Sequence, residues 1–378
     1  MNYKTKGAAL VACMLAISVA SMPQKACAQL MCSTNPQQTA QQRPIWLGTS
    51  GGNIQSLIRK KGNNKLIGCF SGTLGSMVED ATDTEYILSN NHVLADQNAA
   101  KPGQLIVQPG LVDVECVRSQ SNAVATFSRA IKLRFGGHKN FVDAALAAVE
   151  PGQVSPSILF IGPISSDVDS DPTIGMPVQK MGRTTCLTTG VIAVLDANLK
   201  VNYSDTKKPH VATFINQIAV TGSLKTPTFG GPGDSGSLIV TSDACPLAVA
   251  LLFAGSSNGG LTFANPITEV LSRLSVSMVG TCSEDVASEG TGADVLAANI
   301  GVSKDVEASA KAVRDRHESQ LMSVPGAVGS GIAAGDQPGQ AAIEIFVTKM
   351  TPQAQAAAPT EVEGTPVKVI ESGEIVAY

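Results

Sequence analysis

The stretch Phe229-Gly-Gly-Pro-Gly-Asp-Ser-Gly-Ser-Leu238 decides how the other motifs of the chain are interpreted. Three glycines precede Ser235 and Gly236 follows it. Because glycine lacks a Cβ, this segment can turn sharply and bring its backbone N–H groups close to a ligand. The apolar run Leu238-Ile-Val240 predicts a strand directly afterwards. The pattern indicates a serine held exposed on a tight turn, with a plain surface turn as the alternative.

The length and composition describe a globular protein of several parts. The chain has 378 residues, of which 43% are hydrophobic and 15% are charged, which leaves room for two or three domains. Short β-rich runs separated by turn residues predict two β units rather than βαβ units. The predicted divisions are a signal peptide (1–28), a polar leader (29–58) that is loose over residues 29–43, an N-terminal β-barrel (59–166), a C-terminal β-barrel (167–282) and a small α+β module (283–378).

The amino-terminal residues predict export. Lys4 and Lys6 precede an apolar run, and Ala26-Cys-Ala28 offers a cleavage site, as in a secretory signal peptide. The run is short for a membrane span, so we expect a secreted or periplasmic product with no membrane span. Removal of residues 1–28, which hold three lysines and no acids, changes the net charge from −4 to −7. This charge argues against a nucleic-acid partner.

The cysteines predict disulfides rather than a metal site. Six remain after cleavage, and an even number in an exported chain favours disulfide pairing, although fifteen pairings are open. They are Cys32, Cys69, Cys116, Cys186, Cys245 and Cys282. None has C-x-x-C spacing, so no metal and no cofactor are predicted. Asp167-Val-Asp-Ser-Asp171 resembles the start of a calcium loop, but Pro172 and Val178 stand where that loop needs Gly and Glu. We interpret this segment as a linker.

A histidine and an aspartate occur in settings that suit chemistry with Ser235. His92 follows the predicted strand Tyr86-Ile-Leu88, and Asp143 lies in an apolar run, where a buried carboxylate needs a partner. Asp113, which follows His92 by 21 residues, is the competing acid. Of the other histidines, we expect His138 to be solvated, His210 to lie at the surface and His317 to pack on a helix.

These three residues would make a serine nucleophile. A serine hydroxyl needs an adjacent base at neutral pH. His92 would accept its proton, while Asp143 would fix the tautomer of the ring and stabilise its charged form. The backbone N–H groups of Gly233 and Ser235 would face the developing oxyanion. Pro232 has no N–H group and cannot contribute.

Several motifs together resemble one family. Those motifs are Ser89-Asn-Asn-His-Val-Leu-Ala95, Phe141-Val-Asp-Ala-Ala-Leu146, Met181-Gly-Arg-Thr-Thr185, the Ser235 stretch and Leu252-Phe-Ala-Gly-Ser-Ser257. Over about residues 45–282 the chain resembles secreted bacterial trypsin-like serine peptidases of the chymotrypsin superfamily, akin to the plant narrow-leaf protease family. The resemblance implies an all-β fold, a double β-barrel of the chymotrypsin type, and a serine endopeptidase that cleaves polypeptides through a His92-Asp143-Ser235 triad and an acyl-enzyme.

The resemblance also implies where a substrate would bind. Phe229, six residues before Ser235, stands at the position that sets primary specificity, and no acid is present there to select Lys or Arg. The run Phe253, Ala254, Gly255 and Ser256 would pair with the substrate backbone by strand addition. Because no activation site is visible, Asp234 is expected to pair within the chain.

The carboxyl-terminal residues predict a small module separate from the barrels. Ser303 would cap a helix with Val306, Ala310, Val313, His317 and Leu321 on one face. Strands follow, the last from Pro366 to Ile370 and perhaps on to Tyr378. The module resembles a domain found beside such peptidases. Structural support, substrate docking and autoinhibition, including intramolecular docking on the barrels, are open roles.

Two other functions are compatible with the sequence. A binding protein on the same scaffold would keep the motifs without turnover. An esterase would use Ser50, since Gly48-Thr-Ser-Gly-Gly52 matches the Gly-x-Ser-x-Gly elbow. That elbow needs a buried strand before it and a helix after it. Only Ile45-Trp-Leu47 precedes it, so we predict a loop there.

Overall fold

The computed structural model describes residues 32–60, 62, 64–203, 210–282 and 301–378, and the predicted signal peptide lies outside them. Strands dominate these residues. The strands of the first half are β1 (Ile45–Leu47), β2 (Thr49–Asn53), β3 (Leu57–Arg59), β4 (Leu66–Cys69), β5 (Gly72–Leu74), β6 (Ser76–Glu79), β7 (Glu85–Ser89), β8 (Leu105–Gln108), β9 (Asn122–Ala130), β10 (Lys139–Asn140), β11 (Ala145–Ala148) and β12 (Val154–Ile158). Those of the second half are β13 (Pro177–Gly182), β14 (Cys186–Asn202), β15 (Val211–Gly222), β16 (Leu238–Thr241), β17 (Ala248–Ser256), β18 (Thr262–Pro266), β19 (Ser277–Met278), β20 (Ala327–Ala334), β21 (Ala341–Val347), β22 (Glu361–Val362), β23 (Thr365–Glu371) and β24 (Ile375–Ala377). The helices are α1 (Asn91–Leu94), α2 (Ile267–Leu274), α3 (Lys304–Leu321) and α4 (Pro352–Ala357).

The first half curls into an antiparallel barrel. Its strands pair in the order β6-β7-β11-β9-β8-β2-β5, with β19 added next to β6. Only Gly75 separates β5 from β6, and its N–H group donates to the Leu88 carbonyl. One bent strand therefore pairs with both edges of the sheet and closes it. Apolar side chains on both faces of these strands, such as Ile87, Leu88 and Leu146, are fully buried in one hydrophobic core, and their burial is the main stabilising contribution.

The second half forms another closed antiparallel barrel. The strands pair in the order β15-β18-β17-β16-β13-β14, and β14 pairs again with β15. β14 extends over 17 residues, long enough to serve both the barrel and the strands beyond it. The two closed antiparallel barrels confirm the predicted all-β fold of the chymotrypsin type.

The carboxyl-terminal module shares a sheet with the second barrel. β20 pairs antiparallel with β14, with Val194 opposite Ala333, and the sheet continues through β21, β23 and β22. The expectation of a module separate from the barrels is therefore wrong, because the backbone edge of β14 is used by β20. The helix α3 is capped by Ser303 as predicted. Its predicted face is only partly buried, since Val306 is 38% exposed.

The polar leader is packed rather than loose, contrary to the prediction. Gln37 is fully buried, and its side-chain amide donates to the Arg183 carbonyl at 3.1 Å. β1 and β2, which begin before residue 59, are part of the β structure of the first half. The disulfide Cys32–Cys186 attaches the leader to the second barrel. Polar composition suggested solvent exposure, but these amides find backbone partners inside the fold.

The predicted disulfides are confirmed. The other two bridges are Cys69–Cys116 and Cys245–Cys282. Each helix within the described residues is too short or too polar to cross a membrane.

Candidate functional site

His92 is positioned by the short helix α1, which begins where the strand β7 ends. The two asparagines before His92 hold this turn. The Asn90 amide donates to the Asp143 carbonyl at 2.7 Å, and the Asn91 amide donates to the Ile131 carbonyl at 2.8 Å. Both asparagines are fully buried. The motif Ser-Asn-Asn-His therefore fixes the His92 backbone against the segment that carries Asp143.

His92 and Asp143 form a close pair. His92 Nδ1 lies 2.6 Å from Asp143 Oδ2, and the His92 N–H group donates to Asp143 Oδ1 at 3.2 Å. The Tyr203 hydroxyl also donates to Asp143 Oδ2, at 2.6 Å. Asp143 is fully buried, so these donors replace the water that a carboxylate would otherwise need.

The contact between His92, Asp143 and Tyr203 shifts the pKa values of His92 and Tyr203. Burial acts to lower the pKa of His92, but the charge of Asp143 and the hydrogen bond to it outweigh that effect and raise the pKa above its ordinary value. Burial, followed by the charge of Asp143, raises the pKa of Tyr203 well above its usual range. Tyr203 is therefore a neutral hydrogen-bond donor near neutral pH, while Asp143 supplies the negative charge.

Asp113, the competing acid, lies in another network. Its Oδ2 accepts from Arg183 Nε at 2.9 Å and its Oδ1 accepts from Arg183 Nη2 at 2.6 Å. The Ser50 hydroxyl donates to the same carboxylate. The structure thus brings Asp143, and not Asp113, to His92. It also corrects the loop expected around Ser50, because Ser50 is a fully buried residue of β2.

The loop before β16 carries Ser235, and its backbone donors divide into two groups. The N–H groups of Gly231, Asp234, Gly236 and Ser237 all have acceptors, in the Asp234 side chain and in backbone carbonyls. Those of Gly233 and Ser235 have no hydrogen-bond partner among the described residues. These are the two donors predicted for an oxyanion.

The first barrel supports this loop directly. Thr73, in the strand β5, donates from its N–H group to the Ser235 carbonyl at 2.7 Å and from its hydroxyl to the Gly233 carbonyl at 3.0 Å. The neighbouring Gly72 lies between the loop and the residue after His92. A Cβ at Gly72 would come within 2.5 Å of Val93 Cγ2 and 2.9 Å of the Ser235 carbonyl oxygen. The absence of a side chain there allows the His92 turn and the Ser235 loop to approach each other.

The hydroxyl of Ser235 is bonded to the backbone. Its Oγ donates to the Phe253 carbonyl at 3.0 Å, while His92 Nε2 lies 3.0 Å from the main-chain oxygen of Tyr378. Both groups thus have partners other than each other. The Phe253 carbonyl also accepts from the Tyr378 N–H group at 3.2 Å, so Tyr378 contacts both the base and the carbonyl that holds the serine hydroxyl.

Asp234 pairs within the chain, as predicted. Its Oδ2 lies 3.4 Å from Lys180 Nζ, and both side chains are fully buried. Burial lowers the pKa of Lys180, an effect that Asp234 opposes. The carboxylate also accepts from the Thr184 N–H group at 2.7 Å and from the Thr185 hydroxyl at 2.6 Å. These bonds hold the backbone on either side of Asp234 in one conformation.

The residues expected to bind a substrate lie on β17 and behind it. Phe253, Ala254, Gly255 and Ser256 are all buried, and the edge they form is paired antiparallel with β24. Phe229 is buried in the hydrophobic core of the second half, and its carbonyl accepts from the Thr188 hydroxyl at 2.7 Å.

Three residues of the site were not found from the sequence: Tyr203, Lys180 and Tyr378. Tyr203 and Tyr378 reach the site through strand pairings that no local pattern reveals. Lys180 carried a readable signal, because it lies inside the predicted strand Val178-Gln-Lys180, and a buried lysine needs an acid partner.

The rings of His210 and His317 have partners of their own. The His210 ring stacks on Phe135 with 3.4 Å between the ring centres. His317 Nε2 lies 2.7 Å from Glu363, so the packing role predicted for His317 is replaced by a polar contact. Within the part of the chain that the structure describes, no group of His, Cys, Asp and Glu side chains could hold a metal ion.

Comparison with known proteins supports the resemblance seen in the motifs. No family model matches the chain. Over 104 residues the chain is 35% identical to streptogrisin-D of Streptomyces griseus, a match that covers 27% of this chain and 22% of streptogrisin-D. The chain thus spans about a fifth of that curated relative. The predicted similarity to bacterial chymotrypsin-like serine peptidases is confirmed.

Two solved structures align with about three fifths of the chain at low similarity. Thermobifida fusca protease A matches 63% of this chain and 99% of its own, with 17% identity and a TM-score of 0.40. A Nocardiopsis protease matches 62% of this chain and 98% of its own, with the same identity and TM-score.

Proposed function

We propose that the chain is a secreted serine endopeptidase whose nucleophile is Ser235, with His92 as its base and Asp143 as the residue that orients the base. One observation carries the proposal. The buried His92–Asp143 pair, joined at 2.6 Å, lies beside a loop in which Gly233 and Ser235 keep N–H groups without partners among the described residues. The similarity to streptogrisin-D supports the same conclusion.

The proposed reaction uses each of these groups. When a polypeptide carbonyl enters the cleft, the Ser235 hydroxyl turns from the Phe253 carbonyl toward His92. Ser235 Oγ then bonds to the carbonyl carbon as His92 Nε2 accepts its proton. The oxygen of the tetrahedral intermediate takes its hydrogen bonds from the Gly233 and Ser235 N–H groups. His92 gives the proton to the leaving amine, and water then releases the acyl group by the same steps.

The buried position of Asp143 suits its proposed role. Its two carboxylate oxygens accept from the His92 ring, the His92 N–H group and the Tyr203 hydroxyl. A carboxylate held in this way keeps Nδ1 protonated, so Nε2 is the nitrogen that accepts the proton once the Tyr378 oxygen has left it. The positive charge that forms on His92 is then stabilised by the same carboxylate.

The test is Ser235→Ala in the mature chain, with Ser50→Ala as the matched control. We expect Ser235→Ala to lose hydrolysis of a mixed peptide library and labelling by a serine-directed phosphonate, and Ser50→Ala to retain both. Loss only in Ser50→Ala would support the esterase alternative. Undiminished hydrolysis in Ser235→Ala would reject this nucleophile.

A binding protein without turnover is the second candidate. The observation that favours it is the hydrogen bond from Ser235 Oγ to the Phe253 carbonyl, which leaves the hydroxyl directed away from the base. Absence of phosphonate labelling both in the wild-type chain and in a chain that lacks residues 374–378, together with retained affinity for polypeptides, would support this candidate.

A further inference from the structure

The last strand of the chain occupies the edge that was predicted to bind a substrate. β24 lies between two strands of the second barrel, antiparallel to β17 and parallel to β14. Ile375 is 1% exposed and belongs to the hydrophobic core formed by these strands. An extended peptide that adds to a sheet edge in this way gains main-chain hydrogen bonds along its whole length.

The register places Tyr378 at the reacting groups. Ile375 lies opposite Ser256, Val376 opposite Gly255 and Ala377 opposite Ala254. The next residue, Tyr378, donates its N–H group to the Phe253 carbonyl at 3.2 Å. Its main-chain oxygen lies 3.0 Å from His92 Nε2. The segment therefore runs toward the base with its carbonyl end leading, as the acyl side of a bound substrate would.

The side chain of Tyr378 fills a pocket beside this edge. Its ring lies directly over Gly255, because a Cβ at that position would come within 1.8 Å of the ring carbon Cζ. Burial and the nearby charge of Asp234 raise the pKa of Tyr378 to about 12, while a hydrogen bond with Thr262 opposes the shift. The pocket thus accepts a flat aromatic ring with a hydroxyl at its inner end.

The turn before β24 keeps the segment in place. The Ser257 N–H group donates to the Glu374 carbonyl at 2.8 Å, and the Asn258 amide donates to the Glu371 carbonyl at 2.6 Å. Such a short tether gives an attached peptide an effective concentration on the order of millimolar or above. A modest affinity is enough for it to fill the cleft.

We propose that residues 374–378 are an intramolecular ligand of the cleft, which they block in the manner of a bound substrate, and that the pocket holding Tyr378 selects aromatic residues before the cleaved bond. This inference rests on the proposed function for its effect on activity. The binding it describes does not depend on turnover. We identify residues 374–378 as the ligand because β24 pairs residue by residue with the strand edge that was predicted to bind a substrate.

The first experiment compares three variants of the mature chain. Deletion of residues 374–378 empties the whole edge, and Tyr378→Ala empties only the pocket while it keeps β24. Trp46→Ala, which removes an aromatic side chain that is 44% exposed and lies outside the cleft, is the control. The substrates are fluorogenic peptides Ile-Val-Ala-X, with Tyr, Phe, Lys or Glu as X.

We expect the deletion to raise kcat/KM at least tenfold, mainly through a lower KM, and Tyr378→Ala to raise it by a smaller factor. Trp46→Ala should match the wild-type chain. In the deletion variant, the Tyr and Phe substrates should exceed the Lys and Glu substrates at least tenfold. Folded variants with unchanged kcat/KM would overturn the proposed block, and a preference for Lys or Glu would overturn the aromatic pocket.

A binding measurement separates this inference from the proposed function. The peptide Glu-Ile-Val-Ala-Tyr is titrated into the deletion variant that also carries Ser235→Ala, with Glu-Ile-Val-Ala-Ala as the control peptide. We expect the first peptide to bind at least tenfold more tightly than the second. If no variant hydrolyses any substrate, this difference in affinity would still support the ligand, whereas equal or absent binding would overturn it.

Discussion

The two sides of the cleft are built in different ways. On the first-barrel side, His92 is fixed by side chains: Asp143, Asn90 and Asn91 are all buried and hydrogen-bonded around it. On the second-barrel side, Ser235 is presented by backbone, and the N–H groups of Gly233 and Ser235 have no partner among the described residues. The side-chain N–H groups of Asn90 and Asn91 on one side have acceptors, whereas two backbone N–H groups on the other side have none among the described residues.

Because of this difference, we expect the two sides of the cleft to have separate roles. A hydrogen-bonded network of buried polar groups holds one orientation and tunes a pKa. Unpaired donors on a rigid loop are available to a negative charge that forms only during reaction, and they need no rearrangement at that moment. Mutations on the first side should act through proton transfer, and mutations on the second side through the conformation of the loop.

The largest effect is expected from Asp143→Asn. The amide cannot hold the reactive tautomer of His92, so kcat should fall on the order of 10⁴-fold. Asp113→Asn is the matched control: its carboxylate pairs with Arg183 and not with His92, so we expect kcat to stay near the wild-type value because the tautomer of His92 is unaffected. Steady-state kinetics on a peptide substrate would measure both. A near wild-type rate in Asp143→Asn would transfer the role to another acid.

A smaller effect is expected on the other side from Lys180→Met. The change leaves the Asp234 carboxylate buried without its cation, and the free energy of unfolding should fall by about 3–5 kcal/mol. Urea denaturation near neutral pH would measure this. The double variant Lys180→Met with Asp234→Asn should regain part of the loss, because no charge is then left unpaired. A loss below about 1 kcal/mol in the single variant would show that the threonine donors suffice.

The smallest effect concerns pH. Burial tends to lower the pKa of His92, and Asp143 raises it above its ordinary value. Because a base must be neutral, the low-pH limit of activity should lie above the pH expected for a free histidine. The stability that this pair contributes is fully present at pH values below the ordinary histidine pKa, and it is lost as the pH rises through the higher folded pKa.

An NMR titration of the His92 ring in the Ser235→Ala variant would test this direction. Adding Asp143→Asn removes the negative charge and leaves the burial, so the pKa should then drop below its ordinary value. A pKa that does not respond to Asp143→Asn would contradict the assigned pairing.

Much of this site could be predicted because its parts are local. His92, Asp143 and Ser235 lie in short motifs, and the N–H groups of Gly233 and Ser235 follow from the glycine-rich loop and the lack of a donor at Pro232. The double-barrel fold follows from the spacing of short strands and from the resemblance those motifs carry. In each case a few neighbouring residues contain the information.

The features of the site that could not be predicted depend on contacts between segments that are distant in the sequence. Tyr203 meets Asp143 across 60 residues and Tyr378 meets His92 across 286, and neither contact leaves a local pattern. The possible extension of the last strand to Tyr378 was visible, but Gly373 divides it into β23 and β24. Only the register of β24 against β17 reveals that the second piece lies in the cleft. The leader was misjudged for a related reason, since polar residues such as Gln37 can be buried where backbone groups receive them.

Lys180 supplies the positive charge beside Asp234, and its place in the fold determines when the Ser235 loop takes its final shape. Lys180 belongs to β13, an interior strand, so the ammonium group reaches its acid as soon as the second barrel closes. The Ser235 loop therefore acquires its final shape during folding, without a cut elsewhere in the chain to release a new amino group. Under the proposed function, the catalytic groups are complete once the chain has folded, and a restraint on activity would act by controlling what enters the cleft.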